Sequence, residues 1–307
     1  MFDIVGIGAS LYDMTLTISH FPKEDTKMEV LKTGHQCGGP AATGVATASN
    51  LGSSAAFLGL FTDDDYAKAM IADFRKYNVD TSGIAILEGY ASGTAVVINT
   101  EDSSSRTILW TKGTLPSPTS KEIPEETIKQ AKILYLDGNH HDAALYACKI
   151  AKSNNVKIFI DAGGMYQGVR DLLEYADIII ASEEFAVALS GSDSVEESIL
   201  YLKKEYNPEI LVVTRGELGG CYLDGEKTEN YPCYPPPGKV VNTNGAGDVF
   251  HGAFAYAYLN GCSLKKSIHF ASAASSIKCT KQAVREGVPS AEEIIRYLEE
   301  HDMKIVF

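Results

Sequence analysis

The sequence predicts an α/β fold: a central, mostly parallel sheet flanked by helices on both faces, with a small β-sheet lid. Three observations carry that expectation. Strand-like apolar runs alternate with helical patterns along most of the 307 residues. Two separate stretches break this rhythm and alternate apolar with polar residues. Near the carboxyl end, a glycine-rich turn opens directly into a long apolar helix. On this reading residues 1–10, 35–88 and 113–307 form the main α/β domain, and residues 11–34 and 89–112 form the lid.

Taken in order, the runs DIVGIG, AAFLGL, ILYLDG, KIFIDA, DIIIAS and ILVVTR read as strands covered on both sides, hence their near-continuous apolar character. Between and after them lie segments of helical spacing: GPAATGVATASNL, DYAKAMIADFRKY, DAALYACKIAKSN, VEESILYLKKEY and AEEIIRYLEEH. Residues 11–34 and 89–112 have period two, which suits antiparallel hairpins with one face exposed or turned towards a ligand. They leave the main fold at separate places, yet could pair into one sheet. Such a sheet would keep water from a reaction site, or serve as a dimerisation surface; the two uses are compatible. The stretch PCYPPPGKV is a rigid extended connection into the glycine turn.

With 45% hydrophobic and 22% charged residues, the composition is that of an ordinary soluble globular protein. A net charge of −13 without any basic block argues against nucleic acid and anionic membranes as partners. The six cysteines (Cys37, Cys148, Cys221, Cys233, Cys262, Cys279) contain no C-x-x-C pair. That argues against a zinc site or a disulfide framework and suits a reducing cytoplasm. The amino terminus, FDIVGIGAS, lacks the basic prefix and cleavage pattern of a signal peptide, and no apolar stretch reaches transmembrane length. A cytoplasmic location is expected.

The most informative run is Asn242-Thr243-Asn244-Gly245-Ala246-Gly247-Asp248, followed by VFHGAFAYAYL. Its glycines let the backbone turn sharply and approach a ligand closely. The helix behind them offers unpaired N–H groups and the positive end of its dipole, which favours an anion. Asp248 stands in the same first turn. Backbone donors for a phosphate beside a proton acceptor are what phosphoryl transfer to a hydroxyl requires. A lone glycine turn with an acidic residue is also plain helix-start chemistry, so the reading depends on a second site. Gly38-Gly39-Pro40-Ala41-Ala42-Thr43 supplies a candidate. Pro40 suits a first helical turn, Thr43 presents a hydroxyl, and Asp13 is expected just past the end of strand FDIVGIG, where ligands of open α/β sheets gather. Together they could hold the hydroxyls of a polyol; singly, each is ordinary structure.

At these residues the chain resembles the ribokinase-like (PfkB-type) carbohydrate kinases over nearly its whole length. The family's carboxyl signature, DTxGAGDxFxGA, reads NTNGAGDVFHGA here; its amino-terminal signature reads GGPAATGVATASNLG; its nucleotide-side T-x-G-x-x-G is Thr214-Arg215-Gly216-Glu217-Leu218-Gly219. The resemblance implies a ribokinase-like fold, with the main domain binding nucleotide and substrate. It implies Asp248 as the base and Gly245, Ala246 and Gly247 as the anion hole for the moving phosphoryl. Asp13, Gly38, Gly39, Thr43 and Asn139 fall at sugar contacts. Ser182, Thr214, Gly216, Gly219, Thr243 and Cys279 fall on the nucleotide side. Asn242 and Asn244 match positions that bind a monovalent cation in potassium-activated members, and the hairpins match the lid. ATP with Mg2+ and a small sugar are the implied ligands, and a homodimer through the lid is compatible with them.

Departures from the pattern refine these expectations. Asn242 replaces the first aspartate of the carboxyl signature, which removes a negative charge beside the cation position and weakens the case for K+. The N-x-x-E motif expected after DIIIA reads Ser182-Glu183-Glu184-Phe185, so Glu183 is the carboxylate expected to reach Mg2+ through water. GGPAAT stands where ribokinases have GGKGAN. That variant, NTNGAGDVFHGA and KCTKQAVREGVP together resemble the 6-deoxy-6-sulfofructose kinase subgroup, with Lys27 where a lysine faces the sulfonate. Trp110 and Asn139 stand where that subgroup is expected to have an asparagine and an arginine. Losing a guanidinium weakens any doubly charged ligand. Trp110 offers a flat wall to a sugar ring or packs the lid. Lys27 and Arg106 are the lid cations that could meet an anion on the sugar, or are simply solvated.

The helix dipole is expected to keep Asp248 ionised and hence a weak base. A weak base suffices because the transition state is loose and positioning dominates. Rival functions are a nucleoside (adenosine-type) kinase and a regulator that binds sugar without phosphorylating it. A dinucleotide site at Gly6-x-Gly8 fails because the third glycine position is Leu11, and no G-x-x-x-x-G-K-[ST] motif occurs.

Overall fold

The computed structural model of the protein describes residues 1–102 and 106–305. The chain begins with strands β1 (Phe2–Ile7), β2 (Leu11–Ile18) and β3 (Lys32–Gly38), then helix α1 (Pro40–Leu51), β4 (Ala55–Phe61) and α2 (Asp65–Lys76). Short strands β5 (Val79–Asp80) and β6 (Ile84–Ile86) precede β7 (Thr94–Thr100) and β8 (Arg106–Thr111). Alternation follows: α3 (Glu125–Lys129), β9 (Ala131–Leu136), α4 (His141–Ser153), β10 (Lys157–Ala162), α5 (Val169–Leu173), β11 (Ile178–Ser182), α6 (Glu183–Ser190), α7 (Val195–Tyr206) and β12 (Ile210–Thr214). An antiparallel pair, β13 (Gly220–Asp224) and β14 (Lys227–Tyr231), leads to helices α8 (Ala246–Leu259), α9 (Leu264–Cys279) and α10 (Ala291–Glu299).

The large sheet runs β14-β13-β12-β11-β10-β9-β1-β4-β5, with β6 also pairing β4. From β12 to β5 every pairing is parallel. Residue alternation explains why its strands are apolar on both faces. Ile133 and Tyr135 of β9, Phe159 of β10 and Ile178 and Ile180 of β11 face one core, which α1, α2, α8, α9 and α10 close. Their neighbours Leu134, Leu136, Ile158, Ile160 and Ile179 face a second core under α3 to α7. Full burial of one such side chain contributes about 1.5–3 kcal/mol, so each strand is held from both sides.

A second, four-stranded sheet runs β3-β2-β7-β8. It takes its strands from both stretches of period two: β2 pairs antiparallel with β3, β7 antiparallel with β8, and β2 parallel with β7. β3 continues to Gly38, so the small sheet runs directly into α1. Asp13 therefore lies within β2, a short way past the end of β1. Residues 232–240 carry no regular element, as their prolines require.

Candidate active site

The carboxyl ends of the parallel strands form one edge of the large sheet, and two cavities open along it. The first, of about 480 Å³, includes Gly8 after β1, Phe61 at the end of β4 and Asn139 after β9. Asp13 and Trp110 enter from the small sheet, Gly39 from the head of α1, and Asn244 and Asp248 from the head of α8. The second, of about 410 Å³, is lined by Ser182, Glu183, Glu184, Val187, Thr214, Arg215 and Gly216, where β11 and β12 end.

The start of α8 is positioned between the strands that serve these cavities. Gly245 precedes the helix with φ +71°, a conformation that a side chain would strain, and a Cβ there would lie 2.3 Å from Val284 Cγ1. Nearly every residue from Val249 to Ala257 is buried, so the helix is driven inward on all faces. His251 fixes its azimuth: Nε2 lies 3.2 Å from the Ile180 carbonyl of β11 and Nδ1 lies 3.4 Å from Asp161 Oδ2 of β10. Nδ1 also lies 2.6 Å from the Gly247 carbonyl, so each ring nitrogen faces a carbonyl oxygen and a neutral ring donates to one of the two. Burial lowers the His251 pKa and keeps the ring neutral. The Ala246 N–H donates to the Thr243 carbonyl at 3.2 Å. A Cβ on Gly247, by contrast, would meet nothing within 4 Å, so the backbone there borders open space.

Four carboxyl groups share this region. Burial pushes the Asp248 pKa up to about 7, with Asp161 adding to the rise and His251 and Arg285 opposing it. This reverses the expectation of a dipole-stabilised weak base, because enclosure by protein outweighs the helix end. Burial raises Asp13 to about 6, against the Arg285 charge and a Gln36 hydrogen bond. Asp161, almost fully buried, is raised to about 8 by burial and by Asp137, and accepts from the Tyr135 hydroxyl at 3.0 Å. Asp137 ties three elements together. Its Oδ2 accepts from the Ala9 and Ala41 amides at 2.8 and 3.0 Å, and its Oδ1 accepts from Asn139 N–H and Nδ2 at 2.9 and 3.1 Å.

The sequence-derived candidates thus divide. Asp13, Gly39, Trp110, Asn139, Asn244 and Asp248 meet at the first cavity. Ser182, Glu183, Thr214 and Gly216 meet at the second, where Glu183 pairs with Arg215 Nε at 3.2 Å. Gly38 lies behind the first cavity; a Cβ on it would sit 2.5 Å from Asp13 Oδ2. Thr43 is fully buried in α1 and accepts from Arg285 Nε at 3.4 Å, so it does not line the cavity. Lys27 is exposed in the loop after β2 and is also absent from the cavity wall. Gly219 turns the chain from β12 to β13, packed 2.1 Å (as an added Cβ) from the Tyr231 carbonyl. Thr243 is exposed, and the Cys279 carbonyl accepts from the Val241 and Asn242 amides at 2.8 and 3.2 Å; neither lines the second cavity. Arg106 pairs with Asn99 in the small sheet, while its side chain lies outside the described residues.

Five residues were not singled out by sequence reasoning: Asp137, Asp161, His251, Lys278 and Arg285. Asp137 and Asp161 follow or end strand runs that are plain in the sequence, and an acid at such a strand end is the available signal. Arg285, buried beside Asp13, donates to the Gly38 carbonyl at 2.9 Å and pairs with Asp73. No local pattern announces it, since its partners lie more than 200 positions away.

Comparison with known proteins identifies the family and the fold. Residues 1–291 match the pfkB family carbohydrate kinase model. The 5-dehydro-2-deoxygluconokinase of Halalkalibacterium halodurans is 28% identical over 324 residues, covering 98% of this chain and 96% of that protein. Mouse ketohexokinase is 24% identical over 91% of this chain and 96% of its own length. The Arabidopsis thaliana ribokinase structure with ribose and ATP superposes with a TM-score of 0.84 at 24% identity, covering 97% of this chain and 99% of that one. The chain belongs to the pfkB family of carbohydrate kinases and has the ribokinase-like fold. It is a phosphotransferase with a hydroxyl acceptor, an ATP-dependent carbohydrate kinase. Among the described residues no helix is long and apolar enough to cross a membrane.

Proposed function

We propose that the protein transfers the γ-phosphoryl of ATP to a primary hydroxyl of a small keto sugar, held in the cavity bounded by Asp13, Asn139 and Trp110. One observation carries the reading. Asp13 and Asp248 face a single cavity, and Asp248 belongs to a glycine-started helix seated on β10 and β11, between that cavity and the one at Ser182 and Thr214. A sugar on one side and a triphosphate on the other would meet at the first turn of α8.

In this mechanism Asp13 and Asn139 orient the acceptor's hydroxyls, and Asp137 holds Asn139 in place. The acceptor oxygen bonds to the γ-phosphorus as the bond to the bridging oxygen of ADP breaks, and its proton passes to a carboxylate oxygen of Asp248. With a pKa near 7 that carboxylate is a competent acceptor at neutral pH. Backbone at Gly247, open on its outer side, approaches the transferred group closely enough to share its negative charge. Magnesium fits the chemistry of the second cavity, whose lining includes the carboxylates of Glu183 and Glu184. A metal carried by phosphates and water needs one carboxylate nearby, and Glu183 would hold it through water. Bound there, it neutralises charge on the triphosphate. The small sheet closes over the acceptor and excludes water.

The acceptor class follows from the lining. Lys112 is the one cationic side chain among the described residues of the first cavity, whereas two carboxylates face it. That composition suits a neutral or singly charged sugar and not a sugar phosphate or a sulfonate. The relatives' names, 5-dehydro-2-deoxygluconokinase and ketohexokinase, support a keto-bearing acceptor. The test is steady-state ATP consumption over ketohexoses, dehydro sugar acids, sugar phosphates and nucleosides. Turnover confined to the first two groups is expected. Preference for nucleosides would replace this acceptor, and binding of sugars without turnover would replace the catalytic reading with a sensor.

A further inference from the structure

The turn that leads into α8 is hung from the end of α9, and a buried cation lies at its centre. Lys278, in the last turn of α9, is fully buried, and its ammonium donates to the Asn242 carbonyl at 2.9 Å and to the Asn244 carbonyl. The surrounding attachments come from the same stretch of chain. The Asn242 side-chain amide donates to the Gln282 carbonyl at 2.6 Å, Ser275 Oγ donates to the Ala246 carbonyl at 2.8 Å, and Val284 packs against Gly245.

Burying an ammonium is costly unless oxygen atoms converge on it. Main-chain carbonyls at Asn242 and Asn244 supply that convergence, and the positive charge seated on them repels a second cation from the same oxygens. These are the two residues that match monovalent-cation positions of potassium-activated members, with Asn242 weakening the case for potassium here. The third residue between them, Thr243, accepts the Ala246 amide, so the orientation of the whole entry into α8 follows from this turn.

We propose that Lys278 is a tethered cation. It fixes the Asn242–Asn244 turn, positions Gly247 and Asp248 through it, and takes the place a free monovalent ion would occupy, so that activity does not depend on potassium. Its positioning role rests on the phosphoryl-transfer reading; its role as a cation in this turn does not. Asn242 and Asn244 also border a cavity of about 340 Å³ with Gln282 and Val284, which gives a small ion a route to the turn once the lysine is shortened.

The test compares wild type, Lys278→Ala and Lys278→Met in KCl, NH4Cl and tetramethylammonium chloride at equal ionic strength, by turnover and by thermal unfolding. Wild type should give the same turnover and the same midpoint in all three salts. Lys278→Ala should lose about 10–100-fold in turnover in tetramethylammonium, the range for groups that hold an active contact in place. K+ or NH4+ should restore part of both turnover and midpoint. Lys278→Met should lose as much turnover without recovery in any salt, because its chain fills the space, while remaining folded as apolar replacements of buried ions commonly do. Wild type activated several-fold by K+, or Lys278→Ala with no cation-specific recovery in either measurement, would overturn the assignment. Should wild type phosphorylate no acceptor, the kinase reading fails, and the unfolding comparison alone still decides whether Lys278 replaces an ion.

Discussion

Helices of 8 residues or more start in two ways in this molecule, while the five-residue α3 and α5 start uncapped at Pro124 and Gly168, away from the first cavity. α2, α6, α7, α9 and α10 begin at Asp64, Ser182, Ser194, Ser263 and Ser290, each of which accepts an amide hydrogen with its own side chain. α1, α4 and α8 begin at Gly39, His140 and Gly245, all at positive φ and all without a side-chain cap. The second kind clusters at the first cavity: Gly39 and His140 line it, and so does Asp248 in the first turn of α8. Omitting a side-chain cap forgoes about a few tenths of a kcal/mol where glycine stands in, as at Gly39 and Gly245, and about 0.5–2 kcal/mol for other residues without a capping side chain. What is kept is a set of outward amide groups that a ligand, or a distant acid such as Asp137 at Ala41, can use. Ser182 stands between the two kinds, since it caps α6 and also lines the second cavity. The side proposed for the nucleotide is thus built on an ordinary capped helix, while the side where transfer is proposed gives up some local stability for access.

The largest expected effect tests whether α8 is a reaction site or only an unusual helix start. Asp248→Asn keeps shape and cap geometry and removes the proton acceptor. Turnover should fall about 10²–10⁴-fold, the usual loss for a general base, while the affinity for Mg-ATP measured by titration calorimetry changes little. Near-normal turnover would leave α8 with a structural role alone.

Next in size is a paired comparison of one start of each kind. Gly245→Ala introduces a Cβ at φ +71° and against Val284, strain of about 1–3 kcal/mol, and should lower both the unfolding midpoint and turnover. Ser290→Ala removes the α10 cap bond to Glu293 N–H and should cost about 1 kcal/mol of stability with turnover unchanged. If both variants lost stability and neither lost turnover, the division between the two kinds of start would have no functional meaning.

The paired strands and the α8 turn are legible in sequence because their signals are local: apolar runs of five or six residues, and glycines beside an acid. The small sheet is legible for the same reason, since period two survives in both of its segments. α9 is not among the helices that spacing predicts. It is buried on nearly every side by α8, α10 and the sheet, so its Ser- and Ala-rich sequence has no polar face to mark a period. With α9 the sequence reading loses Ser275 and Lys278, the residues that hold the α8 turn. Arg285 is hidden differently. It acts on Gly38, Thr43 and Asp73 across most of the chain, and a contact made by folding leaves no pattern at either end. Thr43 shows the converse error, where correct helical placement did not reveal that its hydroxyl turns to Arg285 and away from the cavity.

The smallest effect concerns charge within the carboxyl cluster, which distinguishes α8 from the capped helices electrostatically. Asp248 is raised to about 7, so its base form accumulates as pH rises through that value. The dependence of kcat/KM on pH should show an acidic limb near 7 and a plateau above it. Asp161, raised further, to about 8, is largely protonated and neutral while Asp248 titrates, hence Asp161→Asn should leave the limb near 7. Asp161 also leaves a mark on stability. Its own value rises from 3.8 to about 8 on folding, so the native state holds the proton more tightly than the unfolded chain. The stabilisation is complete below the unfolded value and is lost as pH climbs through the folded one. Asp161→Asn should therefore flatten the decline in unfolding midpoint between about pH 4 and about pH 8, the interval between the unfolded and folded values. A limb displaced by about one unit or more, or an unchanged decline, would mean that Asp161 is already ionised beside Asp248.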